Sequence, residues 1–140
     1  MKKTIALLLA ILSIFSILGS TAFGVVAAGV EPRWNNTNSA TVSLVIDDAG
    51  EATIALVCVG KGGVTTKITA ETKLERKWGL LWLDVDGAEW TDTASTYYLS
   101  KSHYVQLSKK ATYRATTEYT VTGTGGANDA ITCRCEYTYD

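Results

Sequence analysis

A chain of 140 residues with a formal net charge of −1 and 19% charged residues has room for one core and carries no strong surface field. That balance argues against a phosphate-backbone partner, and so against nucleic acid, because such a contact needs clustered positive charge.

The first element is an export address. Lys2 and Lys3 precede an apolar run from Ile5 to Leu18, and Val26-Ala27-Ala28 supplies a small-residue cleavage site. Residues 1–28 therefore read as a signal peptide with a helical core, cut after Ala28; a cut after Ala27 fits nearly as well. The uncharged run from Ile5 to Val30 also exceeds the roughly 20 residues that span a bilayer, so an uncleaved membrane anchor is the alternative. Gly19, Ser20, Thr21 and Gly24 weaken the second half of such a span. Either way the remainder is exported, and a membrane is met only through an uncleaved leader. Both phenylalanines, Phe15 and Phe23, belong to the leader, so the exported part builds its aromatic content from Trp and Tyr.

Residues 29–38 form a polar arm, and residues 39–140 read as a single β-domain. Val42, Leu44 and Ile46 alternate on one strand face, and Asp47-Asp48-Ala49-Gly50 is a turn. Ala52, Ile54, Leu56 and Cys58 line the next strand. Its other face carries Ala55, Val57 and Val59, which predicts a central strand. Gly60-Lys61-Gly62-Gly63 closes it. Val64 to Trp78 alternates as a long third strand, and Leu81 to Val85 as a short fourth one ended by the turn pair Asp86-Gly87. Glu89 to Ser95 is ambiguous, with Trp90 at a strand end. Thr96 to Leu107 holds a further strand. Tyr113, Ala115, Thr117, Tyr119 and Val121 make a clean inward face, Gly123 to Asp129 a flexible loop, and Ile131 to Tyr139 the last strand. About seven short strands with turns between them predict an all-β, antiparallel β-sandwich of immunoglobulin-like type.

Three cysteines in an exported chain invite one bridge and one leftover thiol. Cys133 and Cys135 share a strand face, so a bond between them needs a kinked strand. A bridge from Cys58 to Cys133 or Cys135 closes a long loop and is worth about 4 kcal/mol by loop entropy. Three buried, reduced thiols are an equally good reading. A zinc set of the three cysteines with His103 has the wrong spacing, since structural zinc favours C-x2-4-C pairs on turns.

No pattern calls for a cofactor or a metal. Ser102 and His103 are strand neighbours and point to opposite faces, so they cannot act with Asp92 as nucleophile, base and acid; His103 reads as a surface residue. Asp84-Val85-Asp86-Gly87-Ala88-Glu89 and Asp47-Asp48-Ala49-Gly50-Glu51 gather carboxylates without the spacing of a calcium loop, and hairpin turns explain both. Asn35-Asn36-Thr37 matches a glycosylation sequon, a short motif common by chance. The functional leads are Trp34, Trp90, Tyr97 and Tyr98, whose rings can stack on sugars or seat a protein.

Arg33-Trp34, Ala52-Thr53, Leu74-Glu75-Arg76-Lys77, Trp82, Trp90 and Ala111-Thr112-Tyr113-Arg114 together resemble small secreted β-sandwich domains of unknown function from Gram-positive bacteria. The resemblance spans most of the exported chain, implies the sandwich and brings no active site. Tyr113 is similar to the corner tyrosine of immunoglobulin-like sandwiches, although no cysteine follows two residues later. The expectation is a secreted, non-enzymatic binding module for a protein or glycan. The alternatives are a secreted hydrolase with a non-local carboxylate site and a self-assembling structural or toxin-like factor.

Overall fold

The computed structural model describes residues 33–140. The expected signal-peptide helix, its cleavage site and residues 29–32 of the arm lie outside the described residues. Seven strands follow in order: β1 (Thr37–Ile46), β2 (Glu51–Gly60), β3 (Thr65–Trp78), β4 (Leu81–Ala94), β5 (Tyr98–Gln106), β6 (Ala111–Gly123) and β7 (Asp129–Tyr139). No helix occurs among the described residues. Every pairing is antiparallel, giving a three-stranded sheet β1-β2-β5 and a four-stranded sheet β4-β3-β6-β7. The expected all-β sandwich is the observed architecture.

Period-two alternation builds the core. Val42, Leu44, Ile46, Ile54, Leu56 and Cys58 from one sheet meet Ile68, Leu74, Tyr119, Val121 and Cys133 from the other, all buried. Each large aliphatic side chain fully removed from water contributes about 1.5–3 kcal/mol. The polar atoms in this interior are paired. Tyr119 Oη donates to Thr41 O at 2.6 Å and ties the sheets together, and the Thr72 and Thr117 hydroxyls lie 2.8 Å apart. Burial pushes the Tyr119 phenol above its ordinary range, with Cys133 and Cys58 adding to the effect.

The fourth strand differs from expectation. β4 is one long strand through Trp90, and Asp86-Gly87 is no hairpin turn. The β3–β4 register jumps from Glu75↔Asp84 to Lys73↔Glu89, so Val85, Asp86, Gly87 and Ala88 stand against Leu74 alone. This is a bulge, and Gly87 takes a φ of 72° within it. The sequence signal was correct about backbone conformation, because bulges and tight turns both use positive φ; it could not say which of them would use it. The hairpin turn lies earlier, at Gly79-Leu80 between Trp78 and Leu81, with Gly79 at φ 61°.

The arm is anchored where it enters β1. Asp129 at the start of β7 accepts hydrogen bonds from Asn35 N and Asn36 N and from Thr37 Oγ1, each at 2.8 Å. Burial alone would raise this carboxyl, but these donors outweigh it and hold it below the usual range. Thr37 of the sequon is thereby a buried structural tie. The glycine-rich β6–β7 loop packs on the same residues: a Cβ on Gly125 would collide with the Asn35 carbonyl. Close approach to the arm explains this glycine without appeal to flexibility.

Candidate functional site

The structure separates the four aromatic leads. Trp34 and Trp90 are partly buried and pack against the core. Tyr97 and Tyr98 are about half exposed. Trp34, Tyr97 and Tyr98 come together at one end of the sandwich through their backbones: Lys61 Nζ donates to Trp34 O at 2.6 Å, Gly60 N donates to Tyr97 O at 2.7 Å, and Tyr98 pairs with Val59. Trp90 lies elsewhere, where edge strands β4 and β5 face each other. Its indole stacks on His103 with centroids 4.7 Å apart, and His103 Nε2 meets Asp92 Oδ2 at 2.6 Å. His103 is therefore half-buried and bonded across the sheets, not a surface residue. Ser102, one position along, is exposed on the opposite face, so the three groups form no nucleophilic triad.

The most exposed apolar feature is one that sequence reasoning passed over. At the tip of the β3–β4 hairpin, Trp78 is 64%, Leu80 97% and Leu81 58% exposed, and Leu83 is also open to solvent. Trp78 pairs with Leu81 and Arg76 with Leu83. By alternation, these side chains continue the inward face of the sheet past the point where the opposing sheet covers it. The signal was present in Trp78-Gly79-Leu80-Leu81-Trp82-Leu83, a turn with apolar residues where polar ones are the rule.

The outer faces of the two sheets differ in chemistry. On β1-β2-β5 four consecutive rows, Ser39/Val59/Tyr98, Thr41/Val57/Ser100, Ser43/Ala55/Ser102 and Val45/Thr53/Tyr104, carry no charge, and the Glu51/Gln106 row that follows ends the face with a carboxylate. β2 is central, as its doubly apolar pattern predicted, yet Ala55, Val57 and Val59 stay half-exposed. The four-stranded face is charged. Arg114 Nη2 and Nε reach Glu75 Oε2 at 2.7 and 3.0 Å, and the guanidinium lies 4.2 Å from the Trp82 ring centroid. Lys73 Nζ reaches Glu75 at 3.2 Å and Asp84 at 3.6 Å. Glu75 is buried, which by itself would raise its carboxyl, but hydrogen bonds from Arg114 and Lys73 outweigh burial and lower it.

The cysteines face inward, as alternation required, and all three are buried. Ala40 on β1 pairs with Cys58, and Cys133 Sγ approaches Ala40 O at 3.4 Å. Cys58 and Cys133 are thus neighbours across the sheets. Burial first, then the proximity of Cys133 and Asp129, pushes the Cys58 thiol up to about 12. Among the described residues, no group of three or more His, Cys, Asp or Glu side chains is placed to hold a metal ion.

Compared with protein-family models, with curated proteins and with solved structures, the chain matches none.

Proposed function

We propose that the exported part of this chain is an immunoglobulin-like interaction module without catalytic activity, which holds a protein partner through the β3–β4 hairpin tip. The immunoglobulin-like reading is supported by the strand orders β1-β2-β5 and β4-β3-β6-β7. It is supported equally by Tyr113 at the start of β6, whose Oη donates back to Lys109 O at 2.6 Å. Export rests on the leader-like pattern of residues 1–28.

The observation that carries the binding role is the exposure of Trp78, Leu80 and Leu81 around a two-residue turn. A Trp beside two Leu in water costs free energy unless a partner covers them, and Trp is enriched among the few residues that dominate interface energetics. A narrow apolar protrusion suits a concave apolar pocket on a protein; a sugar would prefer a flat ring flanked by hydrogen-bonding groups. The test replaces Leu80 with a photo-crosslinking phenylalanine analogue in the full chain, exposed to the surfaces and secretions of neighbouring cells. A discrete protein adduct that disappears with Trp78→Ser is expected. A glycan array response that survives Trp78→Ser and Leu80→Ser, with no protein adduct, overturns the reading.

Self-association is the second reading, favoured by the uncharged rows on the outer face of β1-β2-β5. Two copies stacked on those four rows meet no like charge, and Tyr98 and Tyr104 supply aromatic contact area. Light scattering on the parent and on Ala55→Lys separates the cases: a dimer mass lost in the variant supports stacking, and a monomer in both removes it.

A further inference from the structure

On the outer face of the four-stranded sheet, Glu75 of β3 stands opposite Arg114 of β6 in the strand register. Two pleats along the same two strands Glu71 stands opposite Glu118, with Lys73 opposite Thr116 between them. Like charges placed directly opposite on neighbouring strands destabilise a sheet, and a local conflict of this kind marks places where a sequence serves something other than folding. The nearest cation on β3 does not relieve it: Lys73 is drawn the other way, to Glu75 and Asp84. Among the described residues, neither Glu71 nor Glu118 takes part in an ion pair, and neither does Arg134 on β7 beside Thr116.

Between the two registers lies Thr116. It is 95% buried although it sits on the outer face, and its Oγ1 is the one buried side-chain polar atom among the described residues that lacks a hydrogen-bond partner. A buried hydroxyl without a partner forfeits the hydrogen bonds that water would give it. Thr116 lines an open groove of about 410 Å³ together with Glu71, Lys73, Glu89 and Glu118. The groove thus has three carboxylates on its walls, one ammonium already engaged by Glu75 and Asp84, and an unpartnered hydroxyl in its floor.

We infer that this groove receives the guanidinium of an arginine presented by a partner protein. The chemistry is complementary: a planar fork of five donors carrying one positive charge meets two opposed carboxylates and a hydroxyl, with Glu89 at the rim. The same face already holds a guanidinium in the equivalent arrangement, since Arg114 is chelated by Glu75 and lies over Trp82. At the Glu71 register β6 carries Glu118 where, two pleats along, it carries Arg114, and no position paired directly with Glu71 or Glu118 on β3, β4, β6 or β7 holds a cation, so the proposed cation is a partner's. The site lies on the charged face of β3 and β6, and the inference does not depend on the hairpin-tip reading.

The test titrates N-acetyl-arginine amide, its neutral citrulline analogue and N-acetyl-lysine amide into the full chain, followed by amide chemical shifts in NMR. The expected result is saturable shifts at Glu71, Thr116 and Glu118 with the arginine probe, and none with citrulline. Glu118→Gln should weaken arginine binding about tenfold or more while leaving the spectrum folded. Thermal unfolding without ligand gives a second readout: Glu118→Arg should raise the midpoint, by pairing with Glu71, and abolish arginine binding. Shifts that are equal for arginine and citrulline, equal for arginine and lysine, or unchanged in Glu118→Gln overturn the assignment.

Discussion

His103 and Asp92 join the two sheets at their open edge. The imidazole of β5 meets the carboxylate of β4 at 2.6 Å, under the Trp90 ring, and neither side chain is more than 16% exposed. β4 and β5 are edge strands of different sheets, so no backbone ladder connects them. The side-chain contact takes over that role. Asp92→Ala should therefore lower unfolding stability by about 1–3 kcal/mol, measured as a shift in the urea midpoint, because it leaves a half-buried imidazole without its partner. His103→Phe keeps the stacking on Trp90 and loses only the hydrogen bond, but leaves Asp92 unpaired; its urea midpoint should also fall.

The Glu75–Arg114 pair makes a sharper prediction. Arg114→Met removes two hydrogen bonds from the buried Glu75 carboxylate and leaves Lys73 as its remaining cation, which should cost about 1–3 kcal/mol in chemical denaturation. The double variant Glu75→Met with Arg114→Met should recover most of that loss, since the penalty comes from a buried carboxylate with too few donors. Full additivity in the double-mutant cycle would show that the two do not interact.

Acid should unfold the domain through Asp129 and Glu75. Both carboxyls are held below their ordinary values in the folded state. Their contribution is complete above the ordinary carboxylate range of about 4 and is lost as pH falls through the depressed folded values. Urea midpoints should be flat from neutral pH to about 5 and fall below that. Asp129→Asn should be less stable than the parent at neutral pH and show a shallower acid slope. Identical slopes in both proteins would remove Asp129 from the account.

Tyr113→Phe deletes only the hydroxyl that reaches Lys109 O. The expected loss is about 1 kcal/mol, read as a drop of about 4–8 °C in the thermal midpoint for a domain of this size. The strand pairing of β6 should be unchanged by amide exchange at Ala115 and Thr117.

Cys58 and Cys133 should resist alkylation in the folded protein. The Cys58 thiol, pushed up to about 12, holds almost no thiolate near pH 8, and burial raises Cys133 as well. Peptide mapping should find both labelled by iodoacetamide only after denaturation without reductant. Peptides that stay unlabelled after denaturation but gain label once reductant is added would reveal a bridge between them.

The sequence by itself determined the core and every strand but the fourth. Alternation at Val42 to Ile46, Ala52 to Cys58 and Tyr113 to Val121 dictates which side chains turn inward, because the pleat has a period of two whatever the neighbours are. The inward direction of all three cysteines follows from the same rule. What only the tertiary structure decided are the relations between strands. Asp86-Gly87 carries the same signal whether it ends a strand or bulges one, and only pairing with β3 made it a bulge. His103 met Asp92, Glu71 met Glu118, and Trp78 and Leu80 were left uncovered because of register and sheet length. These are long-range geometric facts, and a local periodicity contains no information about which strand lies alongside or where the opposing sheet ends.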